Sequence, residues 1–241
     1  MAEELMDINT RFGYDPRRGV MTTPEDVKRA GQQWGVVRAY TCSMTAILFD
    51  CDEGNQETLD LCAWDGFFRP VAVGCPTGPH PRQRVEKARE QGFAMVRLFP
   101  EVHGYTVDSP ACARLVEVCA EAGLPVMIPT EASGASRVAR LLRGREGQFI
   151  LTNNHYSCLG DLLALAEALP TINADVGEVF TPDGHQVVAE ALSVDRMLWG
   201  SGYPMLSVGA SLSVLRGSGL SPAEMARVGS GNARRLLESG Q

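Results

Sequence analysis

Eight short apolar runs recur along the chain, each followed by a segment of helical periodicity, and this alternation restricts the fold more than any other feature. The runs begin near Glu4, Val36, Arg69, Ala94, Pro125, Gln148, Thr171 and Arg196, spaced by roughly 23 to 33 residues, enough for a strand, a loop and a helix each time. Eight such units close a parallel barrel, and 241 residues is near the ~250 that such a barrel takes. Runs such as Val71-Ala72-Val73 and Val126-Met127-Ile128 lack polar alternation, as strands covered on both faces should. The expected fold is therefore α/β, a single-domain (β/α)8 TIM barrel over residues 1–241.

The helical segments carry their own punctuation. Thr23-Pro24-Glu25-Asp26 combines an N-cap, a proline at the first helical position and acids in the first turn. Val27, Ala30 and Trp34 then mark the inner stripe. Asp108-Ser109-Pro110 opens another helix, with Cys112, Leu115, Val116 and Cys119 on one face and Gly123 as its stop. Leu159, Leu162, Leu163 and Ala166 repeat that stripe, and Ser221-Pro222-Ala223-Glu224 is a capping box.

Composition removes several function classes. A net charge of −7 and a pI near 5.2 argue against nucleic acid as a partner, which would call for a basic stripe. No apolar run approaches the length of a membrane span, and the N-terminal Met-Ala-Glu-Glu-Leu shows no signal-peptide pattern. Seven cysteines, an odd number with no CxxC pair, read as reduced thiols of a cytoplasmic protein. No P-loop, GxGxxG or GxSxG occurs, so those nucleotide and nucleophile templates are excluded.

The chemistry centres on the first strand. In Met6-Asp7-Ile8-Asn9-Thr10-Arg11-Phe12-Gly13, Asp7, Asn9 and Arg11 share one face by the two-residue period of a strand. Further on come Val96-Arg97-Leu98-Phe99-Pro100, Val126-Met127-Ile128-Pro129-Thr130, Thr152-Asn153-Asn154-His155, Trp199-Gly200-Ser201-Gly202-Tyr203-Pro204 and Gly231-Asn232-Ala233-Arg234-Arg235-Leu236. In this order the segments resemble the amidohydrolase superfamily, in particular the "amidohydrolase 2" branch of metal-dependent TIM-barrel hydrolases and decarboxylases. The resemblance implies a first strand reading Asp-x-His-x-His, a histidine closing the fifth strand and an aspartate after the eighth. Here those positions read Asn9, Arg11, Pro129 and Gly202. An amide is a poor zinc ligand, guanidinium has no lone pair to give, and proline and glycine offer no donor. No catalytic metal and no other cofactor is therefore expected at the usual family position, with a relocated site on Glu131, Asp175 or His103 as the alternative.

Arg11 places a permanent charge in the barrel mouth. Either it grips an anion together with Arg97, or it is paired internally with Asp7, Glu131 or Asp175. His155 keeps the family identity and is a candidate base, with Asp175 and Glu131 as proton-handling partners. Asn9, Arg11, Arg97, Asn154 and His103 are candidate substrate-binding residues; Asn154, with Asn153, could donate to an oxyanion or cap the next helix. His80 and His185 read as surface groups. The expected activity is metal-independent hydrolysis, as of a lactone, or decarboxylation of a small anionic carboxylate. The alternative is a silent barrel that binds a small anion or a protein partner. The resemblance also leaves open a homodimer.

Overall fold

The computed structural model describes residues 4–238. Its strands are β1 (Leu5–Asp15), β2 (Val20–Thr22), β3 (Val36–Ser43), β4 (Phe68–Gly74), β5 (Met95–Leu98), β6 (Val126–Pro129), β7 (Phe149–Thr152), β8 (Ile172–Asp175) and β9 (Met197–Leu198). Each of the eight expected runs starts within one residue of a strand. The addition is β2, which folds back antiparallel on the end of β1. From β1 through β3 to β9 the strands lie parallel in chain order. The sheet curls until its two edges meet: Ile8 N donates to Trp199 O at 3.2 Å, Gly202 N to Asn9 O at 3.0 Å, and Arg11 N to Tyr203 O at 3.0 Å.

The helices are α1 (Pro24–Gln32), α2 (Met44–Leu48), α3 (Cys51–Trp64), α4 (Pro81–Glu90), α5 (Pro100–His103), α6 (Pro110–Glu121), α7 (Thr130–Ser133), α8 (Ala135–Leu142), α9 (Leu159–Ala168), α10 (Gly184–Leu192), α11 (Val208–Arg216), α12 (Pro222–Ala226) and α13 (Asn232–Glu238). None of the helices among the described residues is long and apolar enough to cross a membrane. The capping signals act as expected. Thr23 and Asp26 form a reciprocal box, Ser109 Oγ accepts from Cys112 N, and Ser221 and Glu224 form a second box. Trp34 departs from expectation. It lies beyond α1, is partly exposed, and covers Gly209 of α11, where a Cβ would come within 2.4 Å of its ring. His185 also departs: it is 1% exposed, bonded to the Val176 backbone, and burial pushes its pKa down to about 4. The helix it opens packs inward, so the ring is a neutral core group.

Strand alternation sorts the barrel into two cores. Ala72, Val96, Val126, Phe149, Ile172 and Met197 face the helices, whereas Tyr40, Val71, Met95, Met127, Ile150 and Leu198 fill the interior. Two residues further along, the interior face carries Cys42, Arg97 and Thr152, and Asp175 at the end of β8 joins them through its bond from Thr152. The strand period thus delivers a polar layer at the C-terminal ends, where barrels of this class keep their sites.

One glycine sets a helix contact. A Cβ on Gly54 of α3 would lie 1.9 Å from Ala46 N and 2.4 Å from Ala46 Cα in α2. Gly54→Ala is therefore expected to force the helices apart and lower stability by about 3 kcal/mol. The check is the urea midpoint; no change would mean that the contact is not as close as described.

Candidate functional site

The polar layer is built around two buried carboxylates. Asp175 Oδ2 accepts from Asn9 Nδ2 at 3.0 Å and from Thr152 Oγ1 at 3.1 Å. Its Oδ1 accepts from Gly177 N at 3.1 Å and Gly200 N at 2.9 Å. This one side chain thus joins the ends of β1, β7, β8 and β9. Asp7 Oδ1 accepts from Asn9 N at 3.1 Å and Ser201 N at 2.8 Å. Burial lifts Asp175 to about 7, with the like charge of Glu178 adding to it, and lifts Asp7 to about 6. The hydrogen bonds that each accepts oppose the rise.

Two guanidinium groups face this layer. Arg97 is buried, and its Nη1 donates to Asn9 Oδ1 at 2.5 Å. Arg11 is half-buried, and its Nε is fully enclosed without a hydrogen-bond partner. Both stand over the Phe99 ring, Arg97 Cζ at 4.9 Å and Arg11 Cζ at 5.5 Å from its centroid. Burial, then the neighbouring Arg97 charge, depresses Arg11 to about 9. No carboxylate among the described residues lies in ion-pair range of Arg11, so none of Asp7, Glu131 and Asp175 neutralises it in direct contact.

His155 follows β7. Its Nε2 lies 2.9 Å from Glu178 Oε2 and 3.5 Å from Glu131 Oε2. Glu178 is buried, whereas Glu131, at the start of α7, is exposed. The charge of Glu178 also acts on Arg11, Arg97 and Asp175, which connects the histidine to the arginine pair. Gly202 borders the same carboxylate: a Cβ there would lie 3.1 Å from Glu178 Oε1.

The remaining candidates are placed differently. Asn154 donates to Leu151 O and Asp175 O, each at 2.9 Å, so its N–H groups splint β7 to β8, and Oδ1 is left buried and unpartnered. His103 turns Nε2 to Ile47 O at 2.9 Å, and its ring lies 6.3 Å from that of Phe99. Asn9, Arg97 and Asp175 form one cluster and His155, Glu178 and Glu131 another; Arg11 stands beside Arg97, within the field of Glu178. Sequence reasoning overlooked Glu178, Phe99, Thr152 and Ser201. Glu178 had one signal, an acid three residues past the strand-ending Asp175. Phe99 had another, its place just after β5, beside Arg97 in the strand order.

The Amidohydro_2 family model, described as Amidohydrolase, matches residues 47–152 and 159–238. No curated protein is significantly similar to the chain in sequence. Among solved structures, 5-carboxyvanillate decarboxylase LigW from Sphingomonas paucimobilis superposes with a TM-score of 0.79 at 12% identity, covering 98% of this chain and 99% of the other. 2,6-Dihydroxybenzoate decarboxylase from Rhizobium gives 0.79 at 11% identity, with 98% and 99% covered. A probable 2-pyrone-4,6-dicarboxylic acid hydrolase from Acinetobacter baumannii, with citric acid bound, gives 0.76 at 11% identity, with 99% and 100% covered. At such identities the superpositions establish the fold alone, and the family model supplies the lineage: this chain belongs to the amidohydrolase family.

Proposed function

We propose that this chain acts on a small carboxylate, hydrolysing a lactone ring or releasing carbon dioxide, without a divalent metal among the strand ends. The observation that carries this reading is the pair of guanidinium groups over Phe99 with no carboxylate in contact with Arg11. A buried cation is costly unless it is paired, and an anionic ligand supplies that pairing. The neighbours named as decarboxylases and as a pyrone-dicarboxylate hydrolase suggest the substrate class.

The donor set argues against a divalent ion where the family resemblance would put one. Asn9 Oδ1 is occupied by a guanidinium and Asn9 Nδ2 by Asp175. Arg11 brings positive charge, and Pro129 and Gly202 bring no ligand atom. Asp7 and Asp175 are taken up by the N–H groups of Asn9, Ser201, Gly177 and Gly200, and the two cations and the amide beside them favour an anion over a metal. Arg11 and Arg97 would hold the substrate carboxylate. His155, flanked by Glu178 and Glu131, would take a proton from an attacking water or deliver one to the carbon that loses carbon dioxide.

His155→Gln tests the proton role. It is expected to leave binding of a carboxylate within a few-fold and to lower turnover by about 10²- to 10⁴-fold, read by steady-state kinetics beside a binding isotherm. Unchanged turnover would remove His155 from the chemistry. Binding without any turnover in the wild type would support the silent barrel instead.

A further inference from the structure

Beside the arginine pair, on the loops after β3, β4 and β5, lies a cluster with a different chemistry. Cys51 opens α3, Cys75 follows β4, and His103 ends α5. The two thiol sulfurs and one imidazole nitrogen all lie within 4.8 Å of one another, the one such potential metal-holding group among the described residues. All three side chains are partly buried. The Nε2 of His103 is held by Ile47 O at 2.9 Å, and its Nδ1 is buried with no hydrogen-bond partner. A ring N–H on a backbone carbonyl fixes the tautomer and leaves the other nitrogen's lone pair free, the arrangement that ligating histidines use.

We propose that Cys51, Cys75 and His103 form a Cys2His site for a zinc-class ion, with the fourth position open to water. Two thiolates balance the charge of a divalent ion, and sulfur with imidazole selects zinc over magnesium or calcium. A tetrahedral site needs ligand atoms about 3.5–3.8 Å apart, so atoms that now lie within 4.8 Å of one another would close by about 1 Å at most. Thr77 Oγ1, 3.2 Å from Cys75 Sγ, supplies an outer hydrogen bond. A cavity of about 240 Å³, lined by Cys75, Asp52 and Arg84 among others, borders the cluster on its Cys75 side. The Arg84 charge is paired with Asp52, so it does not stand alone against the ion. The site would clip three βα loops together and hold the His103 ring near Phe99, beneath the arginine pair.

The test is cobalt titration of the reduced, chelator-treated protein. One equivalent is expected to give visible bands of tetrahedral cobalt and a thiolate-to-cobalt charge-transfer band, both removed by added zinc. Cys51→Ser with Cys75→Ser should abolish the charge-transfer band, whereas Cys62→Ser should not. Zinc should also shield Cys51 and Cys75, but not Cys62, from alkylation in the wild type, a reading that needs no variant to fold. Cobalt bound without a charge-transfer band, the same band in the double variant, or equal alkylation with and without zinc would each overturn the proposal.

Discussion

Arg11→Met is expected to abolish binding of small carboxylates while leaving the unliganded protein as stable as before, or more so. A two-pronged contact of guanidinium with carboxylate is made of charge-assisted hydrogen bonds, each contributing roughly 1.5–3 kcal/mol. Losing it should weaken affinity by about 10²-fold or more. The effect on stability has the opposite origin. Burial and the adjacent Arg97 push the Arg11 pKa down to about 9, and its Nε has no partner, so the folded chain carries this charge at a disadvantage. Methionine keeps an apolar stem and removes the charge, together with the guanidinium contact over Phe99. Calorimetric titration and thermal unfolding of the two proteins would read both effects. A lowered midpoint with unchanged affinity would show that Arg11 is an internal plug.

The second large effect is expected at Asp175. Asp175→Ala deletes an acceptor of four hydrogen bonds, from Asn9, Thr152, Gly177 and Gly200, and leaves buried donors without partners. A loss of about 3–5 kcal/mol is expected from denaturant unfolding. That loss depends on pH in a definite direction. The folded carboxyl is raised to about 7 from 3.8, so the fold holds its proton more tightly than the unfolded chain does. The corresponding stability is complete below about pH 4 and declines as pH rises towards 7. The gap between wild type and Asp175→Ala should therefore narrow over that interval. A gap that stays constant as pH rises from about 5 to 7 would mean that the native carboxyl is charged throughout.

The scaffold was legible because the barrel is written in hydrophobic period. Every parallel strand lies under an apolar run, and Thr23, Ser109 and Ser221 mark helix starts by local chemistry alone. The β2 hairpin was not legible: Val20 and Met21, with Tyr14 opposite, are exposed, so no burial pattern announces it. The one-turn helices α2, α5 and α7 are too short to show a period. At the site, strand alternation grouped Asp7, Asn9 and Arg11, but β1 slips its register against β3 between Asp7 and Thr10, and their partners come from far along the chain. Asn9 meets Asp175 across 166 positions and Arg97 across 88. Glu178 sits in a loop with no period, and only the fold brings it to His155. His185 shows the converse, a turn-flanked histidine that the packing of α10 carries into the core.

The most direct measurement is calorimetric titration of the chelator-treated wild-type protein with hydroxybenzoates and pyrone carboxylates. Saturable binding without added metal, lost in Arg11→Met, is the expected result. Binding that appears only after magnesium or manganese is restored, ions that a Cys2His set does not select, or that survives in Arg11→Met, would contradict an anion seat built from Arg11 and Arg97.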